Sequence, residues 1–274
     1  MKAIKLILLG VSLFSILPLG AQVFDKPRSL AEADSLDRVQ YRVLYQLDFI
    51  SDPTDREYVT QDQVRLDIGT QISKVYSLKH YQADSAATPL IETGQFPRMI
   101  VTDVVPPMIL YRGYPKTQDI TTDYRLPAGA PVMSYVEPKP TLQWQVKPEK
   151  REILGHSCQR AEVSFGGRQW IAWFTSEIPL SEGPYKFGGL PGLILEVADS
   201  EGDYRYTCIG IANLSAGENI VRWKWNQRPT TRKELEKIIV QLYANPEQAI
   251  KALGGRMGFK GDPMLNLPYN PIEK

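Results

Sequence analysis

The stretch that decides the fold is Arg168-Gln169-Trp170-Ile171-Ala172-Trp173-Phe174-Thr175, followed at a short distance by Gly189-Leu190-Pro191-Gly192-Leu193-Ile194. Successive side chains of a β-strand point to opposite faces of the sheet. Trp170 and Phe174 therefore share one face, while Trp173 lies on the other. Because both faces carry apolar residues, we expect this strand to be covered on both sides, either by the protein itself or by an apolar ligand.

The second run has two interpretations. Pro191 and Gly192 suit the two central positions of a type II turn, in which glycine supplies the positive φ. The residues that follow, 193–195, would then enter a buried strand. Alternatively, the glycine-rich backbone forms a concavity whose N–H groups hold an anion, with Lys186 beside it.

Most of the remaining chain alternates between apolar and polar residues with a period of two, which is typical of strands with one buried face. Consecutive strands joined by tight turns predict an antiparallel sheet, and about ten strands require it to curve. We therefore expect a mainly β protein, a curved antiparallel sheet or an open or half barrel, forming one β-rich domain over residues 22–274. The alternating segments are 41–49, 64–68, 72–78, 108–114, 133–136, 142–146, 157–165, 193–198, 204–211 and 221–226.

Two segments favour helices. A modest one covers 29–39. A stronger one begins at Thr231, which forms a capping box with Glu234. We expect this C-terminal helical segment, about 231–253, to pack on the sheet. Its apolar residues recur at helical spacing: Leu235, Ile238, Ile239 and Leu242.

The first residues have the pattern of an export signal. Lys2 and Lys5 precede an apolar core, and Leu19-Gly20-Ala21 offers a cleavage site. We predict a signal peptide over 1–21 and an exported mature protein that is periplasmic, outer-membrane-associated or secreted. No later segment is apolar for long enough to span a bilayer, so no transmembrane span is expected after cleavage.

The net charge and the cysteine count narrow the function. The formal net charge is +1, which leaves no basic surplus for a nucleic-acid binder. Cys158 and Cys208 are the two cysteines. In an oxidising compartment they predict one structural disulfide. Two free buried thiols, or a reactive or metal-binding pair, are the alternatives.

The usual catalytic and metal-binding patterns are missing. The two histidines, His80 and His156, accompany no Gly-x-Ser-x-Gly elbow and are expected to be surface or turn residues. Two histidines and two scattered cysteines do not have the spacing of a zinc site. The acids of segment 199–203 faintly resemble a calcium loop, but a solvated hairpin turn fits better. We therefore assign no catalytic residue, metal or cofactor.

Acidic residues near the Gly-Leu-Pro-Gly turn keep a hydrolase open as an alternative, because paired carboxylates can come from distant strands. A purely interacting subunit is a further alternative, and it should show an exposed apolar patch or a free sheet edge. The acids concerned are Glu177, Glu182, Glu196 and Asp199.

In the run Gly189-Leu190-Pro191-Gly192-Leu193-Ile194 and in several other segments, the chain closely resembles the GLPGLI family of secreted bacterial proteins. The resemblance implies an exported, envelope-associated protein, accessory to outer-membrane transport, and it brings no catalytic residues with it. More distantly, the strands of 158–175 are similar to half-barrel carriers of lipid moieties, a likeness of fold alone. Besides the Gly-Leu-Pro-Gly-Leu-Ile run, the resemblance is carried by 66–69, 73–77, Trp144, 153–161, 165–168 and 269–273.

These observations predict a non-enzymatic envelope protein with an aromatic-lined concavity near residues 170–194. Its partner would be an apolar small molecule or an envelope protein such as an outer-membrane transporter. The candidate binding residues are Trp170, Trp173, Phe174, Tyr185, Lys186, Phe187, Gly189, Leu190, Pro191 and Gly192.

Overall fold

The structure is a computed structural model that describes residues 26–95, 107–127, 129–214, 217–254 and 269–274. The expected signal peptide, 1–21, lies outside the described residues. Within them, no helix is both long enough and apolar enough to cross a membrane.

The fold is mainly β, as predicted from the alternation. Twelve strands form one large sheet in the order β14-β7-β6-β5-β4-β3-β2-β12-β11-β10-β9-β8, and β1 and β13 form a separate pair. Neighbours in the large sheet are antiparallel except β14 and β7, which are parallel. β8 and β14 are its two ends, so the sheet is not closed into a barrel. The strands are β1 (Ala33–Arg38), β2 (Tyr41–Phe49), β3 (Thr60–Ile68), β4 (Ser73–Ser77), β5 (Met108–Arg112), β6 (Asp119–Arg125), β7 (Val132–Pro138), β8 (Gln145–Ile153), β9 (His156–Phe165), β10 (Arg168–Thr175), β11 (Leu193–Asp199), β12 (Tyr204–Asn213), β13 (Asn219–Trp223) and β14 (Gln227–Pro229).

The expected C-terminal helix is present as α2 (Arg232–Ala244), followed by α3 (Pro246–Ala252). The capping box is formed: the Thr231 hydroxyl accepts from the Glu234 N–H, and the Glu234 carboxylate accepts from the Thr231 N–H. The apolar side of α2 packs against Tyr124, Met133 and Tyr135 of β6 and β7 through the buried residues Leu235, Ile239 and Leu242.

The helix predicted over 29–39 is wrong. Residues 33–38 form strand β1 and pair with β13. Leu30 and Leu36, which suggested a helical face, pack instead beside Trp223. In so short a segment, the spacing of the apolar residues does not distinguish the helical period of 3.6 from the strand period of 2. The segment forms a strand because it pairs with residues 219–223.

A third helix, α1 (Leu78–Glu92), follows β4 directly and was not predicted. The Ser77 hydroxyl caps it by accepting from the N–H of His80. Pro89 interrupts the pattern, and the helix lacks a continuous apolar face, so its sequence signal is weak. His80 is buried in this helix, which corrects the expectation of a surface or turn position.

Candidate functional site

A cavity lies between the sheet, α2 and the C-terminal segment 269–274, and we call it the tyrosine cavity. Its volume is about 150 Å³. Strands from opposite ends of the chain meet around it, so its walls come from residues that are far apart in sequence. The tyrosines whose rings line it include Tyr124, Tyr135, Tyr185, Tyr204, Tyr206, Tyr243 and Tyr269.

The lining tyrosines are neutral hydrogen-bonding groups with large apolar rings. Burial raises the pKa of each of Tyr124, Tyr204 and Tyr206. Their hydroxyls therefore stay protonated at neutral pH. The apolar part of the wall is completed by Leu235 and Ile239 of α2. An aromatic wall with a few hydroxyls suits an apolar molecule that also offers a hydrogen-bonding group.

One side of the cavity is charged. The Lys186 ammonium lies 2.5 Å from a Glu137 carboxylate oxygen and 2.6 Å from one of Glu273. Arg232 of α2 contacts Glu273 at 2.5 Å. Burial acts against the charge of Lys186, but the carboxylates of Glu273 and Glu137 raise its pKa overall. Lys186 is therefore a fixed cation already paired with two anions.

The C-terminal segment 269–274 forms one wall and is held by Arg168. The Arg168 guanidinium donates to the Asn270 side chain at 2.7 Å and to the Pro271 carbonyl at 2.8 Å. The Lys274 N–H donates to the Gly166 carbonyl at 2.7 Å. A Cβ on Gly166 would lie 2.7 Å from Glu273, so glycine is needed for this close approach.

The structure divides the predicted binding residues into separate groups. Trp170, Phe174, Phe187 and Leu190 are buried in the main core, where the protein's own side chains fill the face expected to hold a ligand. Phe187 lies at the centre of an aromatic cluster. Its neighbours, with centroids 4.6–6.4 Å away, are Trp144, Phe165, Trp170 and Tyr185.

Two of the predicted residues, Tyr185 and Lys186, line the tyrosine cavity, which lies beside the filled face. Trp173 lies half-buried on the opposite face of β10, where the Arg151 guanidinium sits 4.2 Å from its ring centroid. Gly189 and Pro191 are exposed at the turn.

The turn before β11 is not of type II. The Gly192 N–H donates to the Leu190 carbonyl at 2.8 Å, and the Leu193 N–H donates to Ile178 at 3.0 Å. A Cβ on Gly192 would lie 2.0 Å from the Thr175 carbonyl oxygen. Glycine is required here for the close approach of two backbones, and these two N–H groups are used within the chain.

The acids near this turn all have a basic side chain as partner. Glu182 contacts Arg112 at 2.5 Å, and Glu196 contacts Arg151 at 2.7 Å. Glu177 accepts from His156 at 2.7 Å, and that hydrogen bond lowers the pKa of Glu177. A general acid requires a raised pKa, and the pKa of Glu177 is lowered instead.

The acids of segment 199–203, which faintly resemble a calcium loop, are already paired with basic side chains of the protein. In the described part of the chain, Asp199, Glu201 and Asp203 are close enough together to share a metal ion. The Arg168 guanidinium lies 2.6 Å from Asp199 and 2.8 Å from Asp203, and Lys274 lies 2.6 Å from Glu201. The three acids therefore form ion pairs that support the hairpin turn and the C-terminal segment.

Asp62 is a titratable residue that sequence reasoning missed. It lies on the same face of β3 as Val64, which lines the tyrosine cavity. Burial raises its pKa to about 7, although the Ser77 hydroxyl acts in the other direction. The signal was available: residue 62 occupies an apolar-face position in the alternation of 62, 64, 66 and 68, and an acid there must be buried.

Cys158 and Cys208 are buried free thiols in the structure, not the expected disulfide. Burial raises the pKa of each to about 11. We expect the native protein at pH 8 to resist a thiol reagent such as DTNB, because the reactive thiolate is scarce and shielded. After unfolding in guanidinium without reductant, two thiols per chain should react. An unfolded chain without reactive thiols would instead restore the disulfide.

Residues 167–196, which include β10, the turn and the start of β11, match a family described as "Protein of unknown function (Porph_ging)". This short match supports a resemblance to an uncharacterised family and does not confirm the GLPGLI name. No curated protein matches the chain. Among solved structures, it is similar to PNGF-II in its P21 and C2 crystal forms, at 12% identity and TM-scores of 0.45 and 0.47. The similarity covers 73% of this chain, which spans only 32% of PNGF-II.

Proposed function

We propose that this chain is an exported, non-enzymatic binding protein that holds a small apolar molecule in the tyrosine cavity. The observation that carries the proposal is the cavity itself: an unfilled space of about 150 Å³ walled by aromatic rings and the apolar side of α2. The export part rests on the signal-like residues 1–21.

The size of the cavity limits the ligand. An apolar cavity of roughly 150 Å³ holds a molecule about as large as benzene, and typical ligand pockets are about 300–1,000 Å³. The tyrosine cavity therefore suits a single ring, or the apolar end of a longer molecule. The tyrosine hydroxyls and the paired Lys186 and Arg232 would face a polar group on the ligand.

The alternatives have less support. Each of the acids expected to act in a hydrolase already has an arginine or histidine side chain as its partner. An interacting subunit would use a free sheet edge, and β8 is one. However, β8 carries Lys147, Glu149, Lys150, Arg151 and Glu152, and such charges discourage pairing with another strand.

Filling the cavity tests the proposal. Ile239 lines it and is 6% exposed, whereas the adjacent Val240 is 54% exposed on the outer side of the same helix. Using phenol as the probe in isothermal titration calorimetry, we expect Ile239→Trp to weaken binding at least about tenfold, or about 1.4 kcal/mol. Val240→Trp, the matched control, should bind phenol as the unmodified protein does.

Circular dichroism must first show that both variants are folded. If the two tryptophan variants bind phenol equally well, the ligand does not occupy the tyrosine cavity. If neither phenol nor indole nor cyclohexanol binds the unmodified protein, the binding proposal fails.

A further inference from the structure

A second cavity, of about 320 Å³, lies on the other face of the sheet, and we call it the lysine cavity. Lys74 and Tyr76 line it and alternate along β4 with Val75, which faces the tyrosine cavity. Its other walls come mainly from β3, α1 and β13, and they include Asp67, Tyr81 and Trp223. Its volume lies within the usual range for small-molecule sites.

Lys74 is buried at 2% exposure within an aromatic cage. Its Nζ lies 3.3 Å from the ring centroid of Trp223, 4.7 Å from that of Tyr76 and 5.4 Å from that of Tyr111. Among the described residues, the amine donates one hydrogen bond, to the Val221 carbonyl at 2.8 Å. An ammonium group has three N–H donors, so this environment serves the charged form poorly.

The carboxylates near Lys74 are committed to arginines. Asp67 contacts Arg42 at 2.7 Å and Arg65 at 3.0 Å, and Asp123 contacts Arg222 at 2.8 Å. Within the described ranges, no carboxylate forms an ion pair with Lys74. A charge on Lys74 would therefore lack a carboxylate partner of its own among the described residues.

The electrostatics agree with this geometry. Burial lowers the pKa of Lys74 well below its usual value, and the more distant Asp67 and Asp123 act against this effect. The faces of the aromatic rings also favour the charged form. A lysine desolvated in an apolar pocket is a form in which an amine becomes a nucleophile at neutral pH.

We propose that the lysine cavity binds a small aldehyde or ketone with a planar apolar group, and that Lys74 forms an imine with it. The Nζ lone pair attacks the carbonyl carbon and a C–N bond forms. The carbonyl oxygen then leaves as water, taking the two amine hydrogens, and the C=N bond remains. The step is reversible and needs no oxidant or reductant. The rings of Tyr81 and Trp223 would contact the planar group.

Reductive trapping tests this proposal. The folded full chain at pH 7 is incubated with benzaldehyde and sodium cyanoborohydride, which reduces an imine to a stable benzylamine, and modified lysines are mapped by mass spectrometry. Lys186 is the internal control, because it is also buried but paired with two carboxylates that raise its pKa. We expect at least tenfold more modification at Lys74 than at Lys186, saturating with benzaldehyde concentration.

Two variants of α1 show whether the cavity is needed. Ser85 lines the lysine cavity, whereas its neighbour Ala86 is exposed and does not. Ser85→Trp should reduce modification of Lys74 at least about fivefold, and Ala86→Trp should leave it unchanged. Equal modification of Lys74 and Lys186 in the unmodified protein, or of Lys74 in the two variants, would overturn the proposal. The phenol experiment on the tyrosine cavity is independent of both outcomes.

Discussion

Replacing Arg168 with alanine is expected to lower the free energy of unfolding by about 3–5 kcal/mol, because the change leaves the buried Asp199 carboxylate without its cation. The side chains of Arg168 and Asp199 are each 1% exposed, and they lie 2.6 Å apart. Arg168 also holds Asp203 at 2.8 Å. The same guanidinium anchors Asn270 and Pro271, so the variant also loosens the wall of the tyrosine cavity.

Urea unfolding at pH 7, followed by circular dichroism, measures this loss. The matched control is Arg205→Ala, which removes an arginine that is 52% exposed and contacts Glu196 at 3.0 Å. An exposed ion pair of this kind contributes about 0–1 kcal/mol. If the two variants are equally stable, Arg168 does not organise the turn and the C-terminal segment.

The loss caused by Arg168→Ala should also depend on pH. Burial acts to raise the pKa of Asp203, but hydrogen bonds from Arg168, Arg56 and Asn270 lower it overall. A carboxyl group whose pKa is lowered by folding stabilises the protein above its unfolded pKa, and this stabilisation is lost as the pH falls through the folded pKa. The difference between the unmodified protein and the variant should therefore narrow below about pH 4.

Most strands were predictable because the apolar residues of their buried face alternate with polar residues within the same short segment. Residues 41–49 and 64–68 alternate clearly and form β2 and the second half of β3. The helix α2 was predictable from the capping box of Thr231 and Glu234 together with its apolar spacing. In contrast, β1 depends on pairing with a segment far along the chain, which its own short sequence does not record.

The candidate sites were largely unpredictable for the same reason. The tyrosine cavity brings together side chains from β6, β12, α2 and the C-terminal segment, and no local pattern links them. The aromatic run around Trp170 was visible but ambiguous, since a filled core and a ligand-lined face require the same residues. Gly192 correctly indicated a turn, but the reason for glycine differs from the predicted one. Glycine is required there because the backbone passes close to the Thr175 carbonyl, not because of a type II turn.

Replacing Trp170 with alanine tests whether the aromatic run fills the core or lines a ligand-binding face. We expect the change to lower the free energy of unfolding by about 3–5 kcal/mol. Trp170 is 1% exposed, its ring centroid lies 4.6 Å from that of Phe187, and its indole N–H donates to the Phe165 carbonyl at 3.0 Å. Removing the ring leaves a hole in the main core that the surrounding strands cannot close.

Trp173→Ala on the same strand is the control, because that ring lies half-buried on the outer face against Arg151. We expect it to cost about 1 kcal/mol in the same urea titration. Two variants of equal stability would mean that Trp170 does not fill the core. Trp170 would then be available to line a binding surface near residues 170–194. Such a result would favour that surface over the tyrosine cavity as the ligand-binding site.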